Sequence, residues 1–381
     1  MGKPARNRAA SGGLARPLPL RGPLRALLCS LFLSLLAAGN SGCFWLWPLT
    51  QPTETLYATT PDNWRLALHR YRPENISVEK EPLLLVHGIA SNRFNFDLAK
   101  DRSLPLYLYE KGYDVWMLEL RNAGESDKAG LFNLGTRRAD YTFDTFVDVD
   151  IPTAIEFVRY ETRKEQISWV GHSLGAMLGY AYLGQHPGEK TVRNFVALSG
   201  PASFRLRAQA IMFLLQFKGM AQQFVVKPQL LRLNAQGVAN WIGATDLRFD
   251  NILWNGETTD ARTMSMFVYN GVSNLSGPLF DQIVGWVESG EFTSADRQIP
   301  YGANLDRIQI PTLVVTGKLD ALCPPSAARE VFQKIGTLDK GYRVIGTASG
   351  FTGDYGHLDV VIGNRAREDV FPLVYGWLEQ H

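Results

Sequence analysis

The sequence predicts an α/β protein: a mainly parallel central sheet with helices on both faces and an inserted helical cap. Three observations predict it. Short apolar runs alternate with helical segments, as strands do with crossover helices. One of those runs, PLLLVHG, is continuously apolar, as in a strand covered on both faces. Between Gly200 and about Tyr301 the alternation stops for about 100 residues, far more than an ordinary connection needs.

The 381 residues, 45% hydrophobic and 20% charged, suffice for one large core with an insertion. They divide into a leader (1–43), a first part of the core (44–200), the cap (201–301) and a second part of the core (302–381). The leader carries Lys3, Arg6, Arg8, Arg16, Arg21 and Arg25, then an apolar run to Ala38 and small residues up to Cys43. A basic region, an apolar core and small residues make an export signal. The run is about 15 residues, short for a spanning helix. Phe44-Trp45-Leu46-Trp47 would extend it into an uncleaved anchor. Ser41-Gly42-Cys43 resembles the end of a bacterial lipoprotein signal, whose cysteine is lipidated after cleavage. Asn40 stands where a branched apolar residue is usual. The expectation is an exported lipoprotein on the periplasmic or outer-surface side, held to the membrane through Cys43. An uncleaved N-terminal anchor is the alternative.

In the core, Arg65–Tyr71 (RLALHRY) alternates apolar and polar residues and predicts a half-exposed strand. Pro82–Gly88 (PLLLVHG) is a buried central strand, and Gly112–Leu120 (GYDVWMLEL) another. Residues 142–166 predict one long amphipathic helix with Phe146, Val149, Ile155 and Val158 on its apolar face. Pro152 must kink it or stand near its start. Ile167–Ser173 is a strand, Leu174–Pro187 a helix and Val192–Gly200 a strand. Ile310–Asp320 and Tyr342–Thr347 are strands, and residues 367–380 are helical despite Pro372. In the cap, Ala210–Phe217 (AIMFLLQF) is too apolar for a solvated helix. It packs on the core, or it lines an acyl tunnel or touches a bilayer.

Charge and cysteine usage exclude several functions. Of 39 basic residues, six lie in the leader, leaving 33 against 37 acidic ones, with no basic surface for nucleic acid. Beyond Cys29 and Cys43, only Cys323 remains, without a disulfide partner. No Cys/His cluster has metal spacing, and no cofactor motif is present.

Gly171-His172-Ser173-Leu174-Gly175 matches Gly-x-Ser-x-Gly at a strand-to-helix junction. A tight turn there points the serine oxygen outward, and Gly171 and Gly175 remove side-chain clashes. Free N–H groups at the helix start favour developing negative charge. Ser173 is therefore the candidate nucleophile, and it needs a base. In this strand–turn–serine arrangement the base comes last in the chain. Of His186, His357 and His381, the first sits too near the elbow and the last is terminal and expected to fray. His357, in a glycine-rich loop after a strand, is the candidate base. Asp320, after the strand ending TGKLD, is the candidate carboxylate to orient it; Asp354 and Asp359 are rivals. The oxyanion donors are expected at the backbone N–H groups of Leu174 and Ile89. His87 shapes the turn before Ile89 by hydrogen bonding.

These segments resemble the α/β-hydrolase superfamily, and most closely its acid-lipase branch of gastric and lysosomal lipases. The resemblance runs through LLLVHGIASNRFNFD, GYDVWMLELRNAGES, ISWVGHSLGAMLG, and GHLDVVIG after VTGKLDALCPP. Tyr113-Asp114-Val115-Trp116 matches the family's Val-Trp strand, and His357-Leu358-Asp359 its histidine tail. The resemblance implies an α/β-hydrolase fold, a Ser173–Asp320–His357 triad and a helical lid over an acyl pocket. Two places depart from it. Leu174 stands where the family has glutamine, and Glu119-Leu120-Arg121-Asn122-Ala123-Gly124 where it has Asn-Ser-Arg-Gly. The expected activity is hydrolysis of lipophilic carboxylic esters through an acyl-enzyme on Ser173. The alternatives are an acyltransferase, a thioester or lactone hydrolase of this fold, and a membrane-tethered binding protein without chemistry.

Overall fold

The computed structural model describes residues 49–74, 80–130, 137–204, 231–239 and 250–381. Its centre is an eight-stranded sheet in the order β1-β2-β4-β3-β5-β6-β7-β8. The strands are β1 (Glu54–Thr59), β2 (Arg65–Tyr71), β3 (Leu83–Val86), β4 (Val115–Leu118), β5 (Ile167–His172), β6 (Val192–Leu198), β7 (Thr312–Gly317) and β8 (Lys340–Ile345). β2 pairs antiparallel with β1 and β4; every other pairing is parallel.

The seven expected strands are present, but β2 is buried from Leu66 to Tyr71 rather than half-exposed, because it is paired on both sides by β1 and β4. β1 was not legible. It is an edge strand paired on one side, and its half-exposed ETLYAT lacks the apolar run that marks a central strand.

The labelled helices are α1 (Leu104–Glu110), α2 (Ile151–Thr162), α3 (Leu174–Gln185), α4 (Leu231–Val238), α5 (Ala261–Gly271), α6 (Gly277–Ser289), α7 (Pro325–Lys334) and α8 (Phe371–Gln380). Strand side chains alternate between the two faces. Leu84 and Val86 meet α2 and α3 on one face, while Leu83 and Leu85 meet α1 and α8 on the other. Between β6 and β7 the described residues contain helices and no strand.

The helix expected over 142–166 is broken. Phe143–Thr145 forms a turn, Phe146–Asp150 a π-turn, and α2 follows with Pro152 in its first turn. Proline has no N–H and crowds the preceding turn, so the wider π-turn accommodates it; Ile151 N–H bonds back to Phe146 O. The extra residue rotates the apolar face. Val147 is fully buried, whereas the expected Val149 is only partly so. Pro372 acts similarly, splitting the last segment into Ala366–Asp369 and α8.

Cys43 and the leader, the Phe44–Trp47 extension and Ala210–Phe217 lie outside the described residues. Among the described residues no helix is long and apolar enough to cross a membrane.

Candidate active site

Parallel strands bring the loops at their carboxyl ends to one edge of the sheet, where such folds bind ligands. The candidate site assembles there from the ends of β3, β5, β7 and β8. Ser173 joins β5 to α3 at φ 52 and ψ −115, a left-handed backbone that non-glycine residues rarely adopt. Its two flanking glycines are required by close approach. A Cβ on Gly171 would lie 2.4 Å from Gly175 O, and one on Gly175 only 1.9 Å from Val86 O. Strand end, turn and helix start are thus stacked backbone on backbone.

His357 Nε2 lies 2.9 Å from Ser173 Oγ, and His357 Nδ1 lies 3.0 Å from both carboxylate oxygens of Asp320. All three residues are buried. A carboxylate only accepts, so Nδ1 carries the proton and the Nε2 lone pair accepts from the serine hydroxyl. Asp320 also accepts the N–H groups of Leu322 (2.9 Å) and Cys323 (2.7 Å). Burial alone would raise the Asp320 pKa. The His357 imidazole, helped by the Cys323 N–H, outweighs burial and holds it below the ordinary 3.8.

The other expected residues separate clearly. Asp354 accepts from the N–H and hydroxyl of Thr347. Asp359 accepts from the N–H groups of Asn255 and Gly356 and the hydroxyls of Thr258 and Thr259, bracing the turn before His357. His186 bonds to Tyr182 O within its own helix end. His381 does not fray: it stacks on Trp377 at 3.9 Å and reaches Asp339 at 3.0 Å, giving the chain end two anchors. His87 accepts Leu120 N–H at Nε2 and donates from Nδ1 to Gly88 O, as a turn-shaping residue should. Burial lowers its pKa, so the neutral ring is favoured.

Ile89 and Leu174 line the cavity onto which Ser173 and His357 open. Leu174 is the first residue of α3, and the leading N–H groups of a helix have no acceptor within it. The cavity is about 340 Å³ and almost wholly apolar, with Met177, Phe204, Phe267, Val272, Leu275 and Ile283 in its walls. Five of those six come from the segment between β6 and β7. Among the described residues no group of three or more His, Cys, Asp or Glu side chains is placed to hold a metal ion.

A strained serine elbow, a buried carboxylate and a histidine arriving in that chain order mark a well-populated architecture. Residues 81–350 match the family model described as alpha/beta hydrolase fold. The chain belongs to the α/β-hydrolase family. Among relatives, the mouse (Mus musculus) gastric triacylglycerol lipase is 29% identical over 161 residues, 40% of this chain and 41% of that lipase. The chain therefore matches less than half of that relative's length. A poly(3-hydroxyalkanoate) polymerase subunit of Thiocystis violacea is 21% identical over 358 residues, 86% of this chain and 88% of the relative. Among solved structures, an Exiguobacterium antarcticum esterase superposes with a TM-score of 0.56 at 17% identity. It covers 86% of this chain and 100% of its own.

Within this hydrolase fold, two site residues escaped the sequence reading. Asn95 Oδ1 accepts Gly88 N–H at 2.6 Å and faces His172 Nδ1 at 3.0 Å. His172 Nε2 faces His357 O at 3.0 Å. Burial first, then the adjacent His357, lowers the His172 pKa to about 3, so the ring is neutral. His172 stood inside the motif and was available to sequence reading. Asn95 carries no local signal.

Glu119, a departure from the acid-lipase pattern, is also structural. It is buried, accepts the N–H groups of Arg93 (3.1 Å) and Glu125, and lies 3.1 Å from His69 Nε2. It ties the loop after β4 to the loop after β3.

Proposed function

We propose that the chain is a serine hydrolase that cleaves carboxylic esters of lipophilic acyl chains. The observation that carries this reading is the Ser173–His357–Asp320 alignment, at 2.9 and 3.0 Å, opening onto an apolar cavity. His357 takes the Ser173 proton as Oγ attacks the ester carbonyl. Asp320 stabilises the imidazolium that forms. The N–H groups of Ile89 and Leu174 hold the oxyanion. His357 then protonates the departing alcohol. Water, deprotonated by His357, attacks the acyl-enzyme and releases the acid. The apolar walls take the acyl chain out of water, at about 0.8 kcal/mol per CH₂ buried.

The test is Ser173→Ala assayed on p-nitrophenyl esters from acetyl to palmitoyl. Turnover should fall by about 10⁴-fold or more, since triad members act as a unit. Wild-type turnover by the folded variant would remove Ser173 from the mechanism. Labelling of Ser173 by a fluorophosphonate separates an enzyme from a binding protein that kept only the fold.

The long match to a polymerase relative favours one second reading, transfer of the acyl group to an alcohol or a growing chain. Polyester synthases of this superfamily normally carry cysteine at the elbow, where Ser173 stands here. Product analysis with added alcohol distinguishes the two: free acid is expected, ester product marks a transferase.

Residues 201–301 serve as the cap of this pocket, and the leader (1–43) directs export, with lipidation of Cys43 as the membrane anchor. Mass spectrometry of the mature N-terminus checks this. A diacylglyceryl cysteine is expected at position 43, and an intact leader would mean an uncleaved anchor.

A further inference from the structure

We propose that Ser91 and Asn92 are positioning residues that fix the oxyanion turn against the connection between α5 and α6. The inference rests on the reading of Ser173 as an acylated nucleophile. The turn Gly88–Asn92 contains Ala90 at φ 53. A non-glycine residue persists in that left-handed region only when its surroundings hold it there.

What holds it is the α5–α6 connection. Ser273 N–H donates to Ala90 O at 2.7 Å. Ser91 Oγ donates to Gly271 O at 3.0 Å, and Asn92 Nδ2 to Asn270 O at 2.8 Å. Asn270 and Gly271 end α5, and the last carbonyls of a helix have no donor within it. The turn supplies those donors and receives in exchange a fixed support. Ser91, Asn92 and Ser273 are all buried, so water does not substitute for these bonds.

The other side of the turn is held as firmly. Asn92 Oδ1 accepts Phe94 N–H at 3.0 Å and starts the short turn Arg93–Asn95. Asn95 in turn holds Gly88 N–H. The Ile89 N–H therefore sits between two clamps, one from Asn95 and one from the end of α5. Donors aimed at a developing oxyanion work because their positions are set beforehand. The same α5–α6 connection presents Val272 and Leu275 to the cavity. An acyl chain filling the cavity thus packs on the element that sets the donor.

Two variants and one rescue isolate this link. Asn92→Asp keeps an oxygen for Phe94 N–H but replaces the donor to Asn270 O by an acceptor. Ser91→Ala removes one hydroxyl, and Ser91→Thr restores it. Outright loss of an oxyanion donor costs about 10²–10³ in kcat, so displacing one should cost about 10–100-fold.

The measurements are kcat and KM on p-nitrophenyl butyrate, the inhibition constant of an alkyl boronic acid, and fluorophosphonate labelling of the wild type. The boronic acid forms a tetrahedral adduct whose oxygen needs the same donors. Expected are a fall in kcat at nearly constant KM, a parallel loss of boronic acid affinity, and recovery in Ser91→Thr. Folded Ser91→Ala and Asn92→Asp variants with wild-type kcat overturn the inference alone. A wild type that neither turns over nor labels overturns the hydrolase reading, and this inference with it. Should Asn92→Asp fail to fold, the Ser91→Ala and Ser91→Thr pair decides.

Discussion

His172 Nε2 lies 3.0 Å from the carbonyl oxygen of His357, so the residue before the elbow serine braces the residue that faces it. The same ring reaches Asn95, which holds Gly88. Three loops meet around this buried imidazole; being neutral it carries one N–H and donates to only one of the two oxygens that face it.

Replacing that ring should therefore damage geometry more than binding. His172→Phe keeps an aromatic ring and removes both nitrogens. A displacement of about 1 Å at a reacting group costs on the order of 100-fold, so kcat should fall by about 10–100-fold. KM should change less than kcat, because the apolar walls supplied by Met177, Phe267, Leu275 and Ile283 stay in place. Steady-state kinetics on a p-nitrophenyl ester, beside a melting curve, measures both. Unchanged kcat in a folded variant would mean that His357 holds its place without this contact.

Two glycines of the chain should respond to alanine with opposite sign. In Gly175→Ala the new methyl would stand 1.9 Å from Val86 O, a backbone atom in the sheet centre that cannot yield. Overpacking of this kind costs about 3 kcal/mol or more, and the variant should melt far lower or fail to accumulate. Gly285, inside α6, has nothing within 4 Å of the equivalent position. Gly285→Ala should stabilise by about 0.5–1 kcal/mol through helix propensity and unfolded-chain entropy. Thermal melts of the two variants check the pair. A mild effect at Gly175 would contradict the backbone contact described here.

What sequence revealed and what it hid follow from how local each signal is. The elbow is written in five adjacent residues and β3 in a continuous apolar run, so both were legible. β1 was not, because an edge strand needs only one apolar face and its pattern resembles a loop. Pro152 signals a kink or a helix start, and it stands in the first turn of α2, but the effect of the π-turn on Val147 and Val149 depends on one inserted residue. Asn95 meets His172 across 77 positions, and no pattern in either segment announces that meeting. Glu119 departed from the family pattern and was read only as a difference. Its role appears once both loops it joins are in place.

The cavity makes a prediction about substrate length. Leu275 is buried in its wall, on the connection after α5. Leu275→Trp adds bulk to that wall and should exclude long acyl chains while sparing acetyl esters. The ratio of kcat/KM for octanoyl over acetyl esters should drop by about 10-fold or more, since one methylene in an apolar pocket is worth roughly 10-fold upward. The p-nitrophenyl ester series measures it. An unchanged ratio would place the acyl chain elsewhere.

Glu119 should govern acid stability. Burial alone would raise its pKa. The His69 contact, then the N–H groups of Glu125 and Arg93, outweigh burial and bring it down to about 2, against an ordinary 4.5. A carboxylate with a depressed folded pKa takes up its proton more readily in the unfolded chain. Its contribution is therefore complete above pH 4.5 and is lost as pH falls from 4.5 to about 2. A shift of that size corresponds to about 3 kcal/mol at most. Glu119→Gln keeps the shape, loses the charge and turns an amide donor toward N–H groups that need an acceptor. It should be less stable at pH 7 by about 2–3 kcal/mol, with a flatter stability–pH curve between 4.5 and 2. Urea unfolding at pH 7, 5, 4 and 3 gives both quantities. If wild type and variant lose stability in parallel over that range, the acid response belongs to other carboxylates and Glu119 is not the group that sets it.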